Sequence, residues 1–153
     1  VRDAPTLAEL ESLLGVTLER YYPGDSTSHP VIELARIIDN ISDSVGDGDE
    51  RSIQIACLLI SVDPRLPFGK GLKSRLARGL RRRSDQLNEV DRRRIVECTS
   101  RLLSLEYCPG EAEEYCRLVK SLGAAETRAV LGAARPQSRK SQKLIADLQQ
   151  AVA

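Results

Sequence analysis

The chain has 153 residues, of which 41% are hydrophobic, 29% charged and 3% aromatic, with 23 basic and 22 acidic side chains. That length suits one domain with a closed core, and the composition excludes fibrous, collagen-like and disordered classes. No apolar run approaches the roughly 20 residues of a membrane helix and the opening VRDAPTLAEL has no signal core, so the reading is a soluble intracellular domain, cytoplasmic or nuclear, with no membrane partner.

Placing residues at about 100° per position predicts helix in nearly every segment between Gly and Pro punctuation. Thr6 and Glu9 have the spacing of a capping box, and Gly15 ends the first helix. A loop with Tyr21, Tyr22, Pro23 and Gly24 follows. Pro30 suits a first helical turn, and Val31, Leu34, Ala35, Ile37, Ile38 and Ile41 share one face as far as Gly46. Asp49 can cap the next helix. Its stretch IQIACLLISV (53 to 62) is apolar on every side and should be the most buried; it is also the one plausible strand, but a single strand makes no sheet.

Phe68, Leu72, Leu76 and Leu80 recur every four residues, which predicts a helix over about 69 to 83 with Phe68 on its apolar face. Leu87 and Asn88 introduce a helix bearing Ile95, Val96, Cys98, Leu102, Leu103 and Leu105. After Pro109 and Gly110 comes a stripe of Ala112, Tyr115, Cys116, Leu118, Val119 and Leu122, ending at Gly123. An Ala-rich helix over 125 to 134 closes a single domain spanning 1 to 134. A polar basic link over 135 to 143 then leads to an amphipathic helix over 144 to 153 that docks on the same domain.

Shifting the chain against itself by 42 positions aligns Asp49 with Asp91, Arg51 with Arg93, Ile53 with Ile95, Pro67 with Pro109, Leu76 with Leu118 and Leu80 with Leu122. That period lies in the range of HEAT and armadillo arrays, though two ordinary hairpins of like length would give the same match. The predicted fold is therefore all-α, with about eight helices as stacked antiparallel hairpins, either a helical bundle or a short HEAT/armadillo-like superhelix. Val1 opens a chain without methionine, which reads as a piece cut from a longer protein or as a trimmed chain.

Few motifs point to chemistry. Cys57, Cys98, Cys108 and Cys116 are separated by 41, 10 and 8 residues, and the one histidine, His29, lies 28 residues before the first, so close metal-ligand pairs are absent. Cys57, Cys98 and Cys116 fall on apolar arcs and read as core residues; Cys108, in a turn, is the most reachable thiol. Gly69, Lys70, Gly71, Lys73 and Ser74 do not fit the spacing of a phosphate-binding loop. Asp43, Asp47, Asp49 and Glu50 lack the closing glutamate of a calcium loop, and Glu111, Glu113 and Glu114 suit the first turn of a helix. No nucleophile elbow accompanies His29. No catalytic residue, metal or cofactor is assigned.

Charge is distributed unevenly. Residues 1 to 64 hold 4 basic and 12 acidic side chains, net −8, whereas 65 to 94 hold 11 and 3, net +8, and the remainder hold 8 and 7, net +1. Arg75, Arg78, Arg81 and Arg82 share an arc of about 120° facing away from the leucines. With Arg83, Lys70 and Lys73 they form the candidate partner-binding set, and Arg92, Arg93 and Arg94 lie further along. Three readings compete: a solvated face partly neutralised by the acidic first half, a dock for an acidic or helical protein segment, and a nucleic-acid surface over 65 to 94. With Phe68 counted as buried, base stacking lacks a platform. The expected function is a non-catalytic protein-interaction or scaffold domain, with nucleic-acid binding as the alternative.

Overall fold

The computed structural model describes residues 4–24 and 29–153. Among the described residues there are eight α-helices and no strand: α1 Leu7–Leu14, α2 Pro30–Gly46, α3 Glu50–Val62, α4 Gly69–Arg82, α5 Glu89–Leu103, α6 Ala112–Leu122, α7 Ala124–Ala133 and α8 Arg139–Ala151. Local chemistry sets their ends. Thr6 and Glu9 close a capping box, Gly15 ends α1 at φ 69°, and Pro30 stands in the first turn of α2. Asp49 accepts the Ser52 amide at 2.9 Å to start α3, and Asn88 accepts that of Asp91 at 2.8 Å to start α5. The last helix begins earlier than its apolar residues suggest, because Ser138 and Ser141 cap each other over Arg139–Ala151. The link is thus short, and it is tied down by Ser104, whose Oγ accepts the Arg135 amide at 2.9 Å.

The helices stack in two layers, and within each layer neighbours run parallel. Helices α2, α4, α6 and α8 form one layer, and α3, α5 and α7 the other. Arg75 reaches Asp39 and Asp43, and Arg83 reaches the Gly46 carbonyl, so α2 and α4 advance together. Likewise the Cys98 thiol donates to the Ile60 carbonyl and Arg101 faces Asp63, which aligns α5 with α3. Helix α1 packs on α3, and a 3₁₀ turn at Glu19–Tyr21 closes that end, with the Tyr21 hydroxyl 2.7 Å from Ser52 Oγ. Helix α3 is the expected centre: Ile53, Ile55, Ala56, Cys57, Leu59 and Ile60 are all buried. The 42-residue offset maps the α3–α4 hairpin onto α5–α6, and Leu76, Leu80, Leu118 and Leu122 fill one core.

Two local expectations are corrected. Phe68 does not join the leucines; it is 73% exposed, in the left-handed region at φ 55°, and Leu66 takes the buried place beneath the loop. The chain enters α4 only after Phe68, so its side chain is off the helical trajectory, at a cost of about 1 kcal/mol for a bulky residue in that conformation. Cys108 is buried as well, at 4% exposure, so the turn at Pro109 covers the thiol.

Candidate functional site

Helix α4 lies between α2 and α6 in its layer, and its arginines divide between the two neighbours according to their place on the arc. Arg75, at one edge, pairs with Asp39 and stands 3.4 Å from Asp43 on α2. Arg81, at the other edge, is 3.7 Å from Glu114 on α6, and Arg78 is 3.8 Å from the same carboxylate. Glu114 also receives Arg117 at 2.6 Å, so one largely buried acid anchors three guanidinium groups. Arg83 leaves the face to donate to the Gly46 carbonyl at 2.5 Å. Arg82 is exposed and makes no ion pair among the described residues.

Between α2 and α4 the surface sinks into a depression of about 470 Å³ lined by Ser42, Asp43, Gly46, Asp47, Arg75, Arg78, Gly79 and Arg82. Gly79 makes this approach possible, since a Cβ there would lie 3.2 Å from Val45 Cγ1. The Ser42 hydroxyl, in a residue only 8% exposed, has no hydrogen-bond partner. Buried hydroxyls are nearly always bonded, which makes this donor conspicuous.

The two lysines of the candidate set part company. Lys70 stays exposed, its stem lying against Gly110, where a Cβ would sit 2.5 Å from Lys70 Cε. Lys73 turns inward at 8% exposure, 2.7 Å from Asp63 and 3.6 Å from Glu111, while Arg101 approaches Asp63 from α5 at 3.6 Å. Two cations and two carboxylates thus balance at the junction of α3, α4, α5 and α6. The structure brings Arg75, Arg78 and Arg82 together along the depression, with Arg81 and Arg83 flanking it, and sets Lys73 apart.

Asp63, Arg101, Glu111 and Ser42 were not singled out by sequence as site residues. The inward course of Lys73 did have a signal, because at 100° per residue it falls about 20° from Leu80 on the leucine face.

Beside this cluster, burial favours the neutral forms of one phenol and of the thiols. Burial raises the Tyr115 phenol well above its ordinary range, reinforced by Cys98, Asp63 and Glu111, and the phenol oxygen has no hydrogen-bond partner. Burial likewise pushes the Cys98 and Cys116 thiols up to about 12, and those of Cys57 and Cys108 upward. All four cysteines are free and buried, the setting of packing groups rather than nucleophiles. Among the described residues, no three His, Cys, Asp or Glu side chains converge as a metal site would require, and no helix is long and apolar enough to cross a membrane. Comparison with protein-family models, curated proteins and solved structures found no match to this chain, so its functional reading rests on the α2–α4 face itself.

Proposed function

We propose that this domain is a non-catalytic docking module that receives an acidic segment of a protein partner on the face where α2 and α4 lie side by side. The supporting observation is the depression itself, lined by Arg78, which reaches Glu114 only at 3.8 Å, and by the exposed Arg82, which makes no ion pair among the described residues. Guanidinium forks of this kind match carboxylates in geometry as well as charge. Four free thiols suit a reducing compartment, hence work in the cytoplasm or nucleus.

A second reading, nucleic-acid binding over 65 to 94, gains one observation, since Phe68 is exposed beside Lys70 and could stack on a base. It is weakened because Arg75, Arg78, Arg81 and Arg83 already face carboxylates or a carbonyl within the chain. The test is capture of partners from native extract by wild type and by Arg78→Glu/Arg82→Glu, each with and without nuclease. Loss of a nuclease-resistant protein partner in the folded variant supports docking. Partners that vanish with nuclease, with a binding constant falling by nearly one log unit per log of salt for each phosphate neutralised, favour nucleic acid. Unchanged capture by the folded variant refutes both uses of this face.

A further inference from the structure

Among the described residues, the two most exposed large apolar side chains stand at one edge of the fold. Phe68 is 73% exposed and Tyr107 83%, whereas Tyr21 and Tyr115 are buried. Phe68 precedes α4 and Tyr107 precedes α6, so both lie where α3, α5 and α7 end and α4, α6 and α8 begin. The loops of this edge are tied side by side. Lys70 lies along Gly110, the Lys140 ammonium donates to the Pro109 carbonyl at 3.3 Å, and the Gln137 amide donates to the Ser104 carbonyl at 3.1 Å. Neighbouring helices of a layer pack about 8–10 Å apart, which sets the spacing of successive loops.

Neither ring is used by the core. Phe68 is held in the left-handed region at φ 55° with its ring in solvent, and backbone strain kept without a packing return collects at binding sites. The cations beside the rings lack charge partners. Over 63–70, 104–111 and 134–140, Lys70, Arg135, Arg139 and Lys140 are exposed and none of these four makes an ion pair among the described residues; Glu106 is the one exposed acid in those ranges. Lys70, Arg139 and Lys140 do not serve their helices either. They stand in the first turns of α4 and α8, where no acid is present and a cation opposes the helix dipole.

Rings interleaved with unpaired cations select the partner. A protein interface buries a contiguous apolar centre and is poor in lysine, unlike this edge. A single nucleic-acid strand offers both complements, flat unpaired bases for the rings and phosphates for the cations, whereas a duplex keeps its bases in their stack. We propose that this edge binds single-stranded nucleic acid, with bases stacked on Phe68 and Tyr107 and the backbone following Lys70, Lys140, Arg139 and Arg135. The surface is separate from the α2–α4 face, reaches beyond residues 65 to 94, and does not rest on the docking reading.

The test is fluorescence anisotropy of the full chain with labelled oligothymidylate and oligouridylate of about 15 nucleotides, against a duplex of the same length and a polyglutamate peptide. The expected result is saturable binding of a single strand, tighter than that of duplex or peptide. The log of affinity should fall against the log of salt with a slope of about −3, from about −0.7 for each of the cations. Phe68→Ala/Tyr107→Ala should melt like wild type and bind at least about tenfold more weakly, since each stacked base is worth a factor of about five or more. The chain has no tryptophan, so Tyr107→Trp supplies a single reporter whose emission should be quenched as a base stacks on it. Arg78→Gln/Arg82→Gln, altered only on the α2–α4 face, should lose much less affinity than the alanine variant. Equal affinity for duplex, or tighter binding of the peptide, would overturn the proposal. So would an alanine variant that binds like wild type, tryptophan emission unmoved at saturation, or a larger loss in the arginine variant. If the alanine variant melts lower, the tryptophan reporter decides alone.

Discussion

Replacing Lys73 by methionine keeps the length of the side chain and removes its charge from between Asp63, 2.7 Å away, and Glu111, 3.6 Å away. Breaking a buried pair on one side costs about 3–5 kcal/mol, because the partner charge stays behind without water or a cation. Here Arg101 continues to face Asp63 at 3.6 Å and the Asp63 side chain retains 22% exposure, so the lower end, about 3 kcal/mol, applies. At a urea dependence of about 2 kcal/mol per molar, the unfolding midpoint should fall by about 1.5 M. Adding Glu111→Gln removes the stranded charge and should restore more than half of the loss. Urea titrations at neutral pH check this; a Lys73→Met midpoint within about 0.5 M of wild type would refute the reasoning, since it corresponds to only about 1 kcal/mol.

Three further outcomes follow from the same physical terms. Tyr115→Phe removes a buried hydroxyl that has no partner, so thermal melts should show unchanged or higher stability, by about 0–1 kcal/mol. Asp49 is held well below the usual carboxylate range by bonds from Arg20 and Ser52; Asp49→Ala should therefore lose about 1 kcal/mol of helix cap at neutral pH. Because the folded pKa is depressed, that difference exists above about pH 4 and shrinks as pH falls below it, which paired pH–stability profiles would reveal. Native protein should give no rapid thiol reaction with a disulfide reagent, and all four cysteines should react at the rate of unfolding; a fast phase would place one of them at the surface.

Much of the fold was legible because helix signals are local. Thr6, Asp49 and Asn88 each cap the helix whose apolar stripe follows, and 42 positions carry one hairpin onto the next. The site was legible only in outline. The arc of Arg75, Arg78, Arg81 and Arg82 is a property of one helix, but its allocation to Asp39 and Asp43 on one flank and Glu114 on the other arises from packing across 32 to 36 positions of sequence. Phe68 misled because a period of four continues past the point where the backbone leaves the helix; Pro67 and a left-handed residue mark that break. Ser42 carries no sequence signal at all, since a serine on a helix ordinarily satisfies itself.

The parallel course of helices within a layer also fixes where backbone partial charge accumulates. The C-terminal ends of α2 and α4 come side by side, each presenting about half a negative charge, and like poles at neighbouring ends repel. Arg81 and Arg82 occupy the last turn of α4, and Arg83 crosses to the carbonyl of Gly46, the last residue of α2. Part of the arginine run thus serves as a shared counter-pole for two helix ends. Arg83→Ala should accordingly let the final turn of α2 fray, raising amide hydrogen exchange over 44 to 48 while exchange in the centre of α3 stays slow.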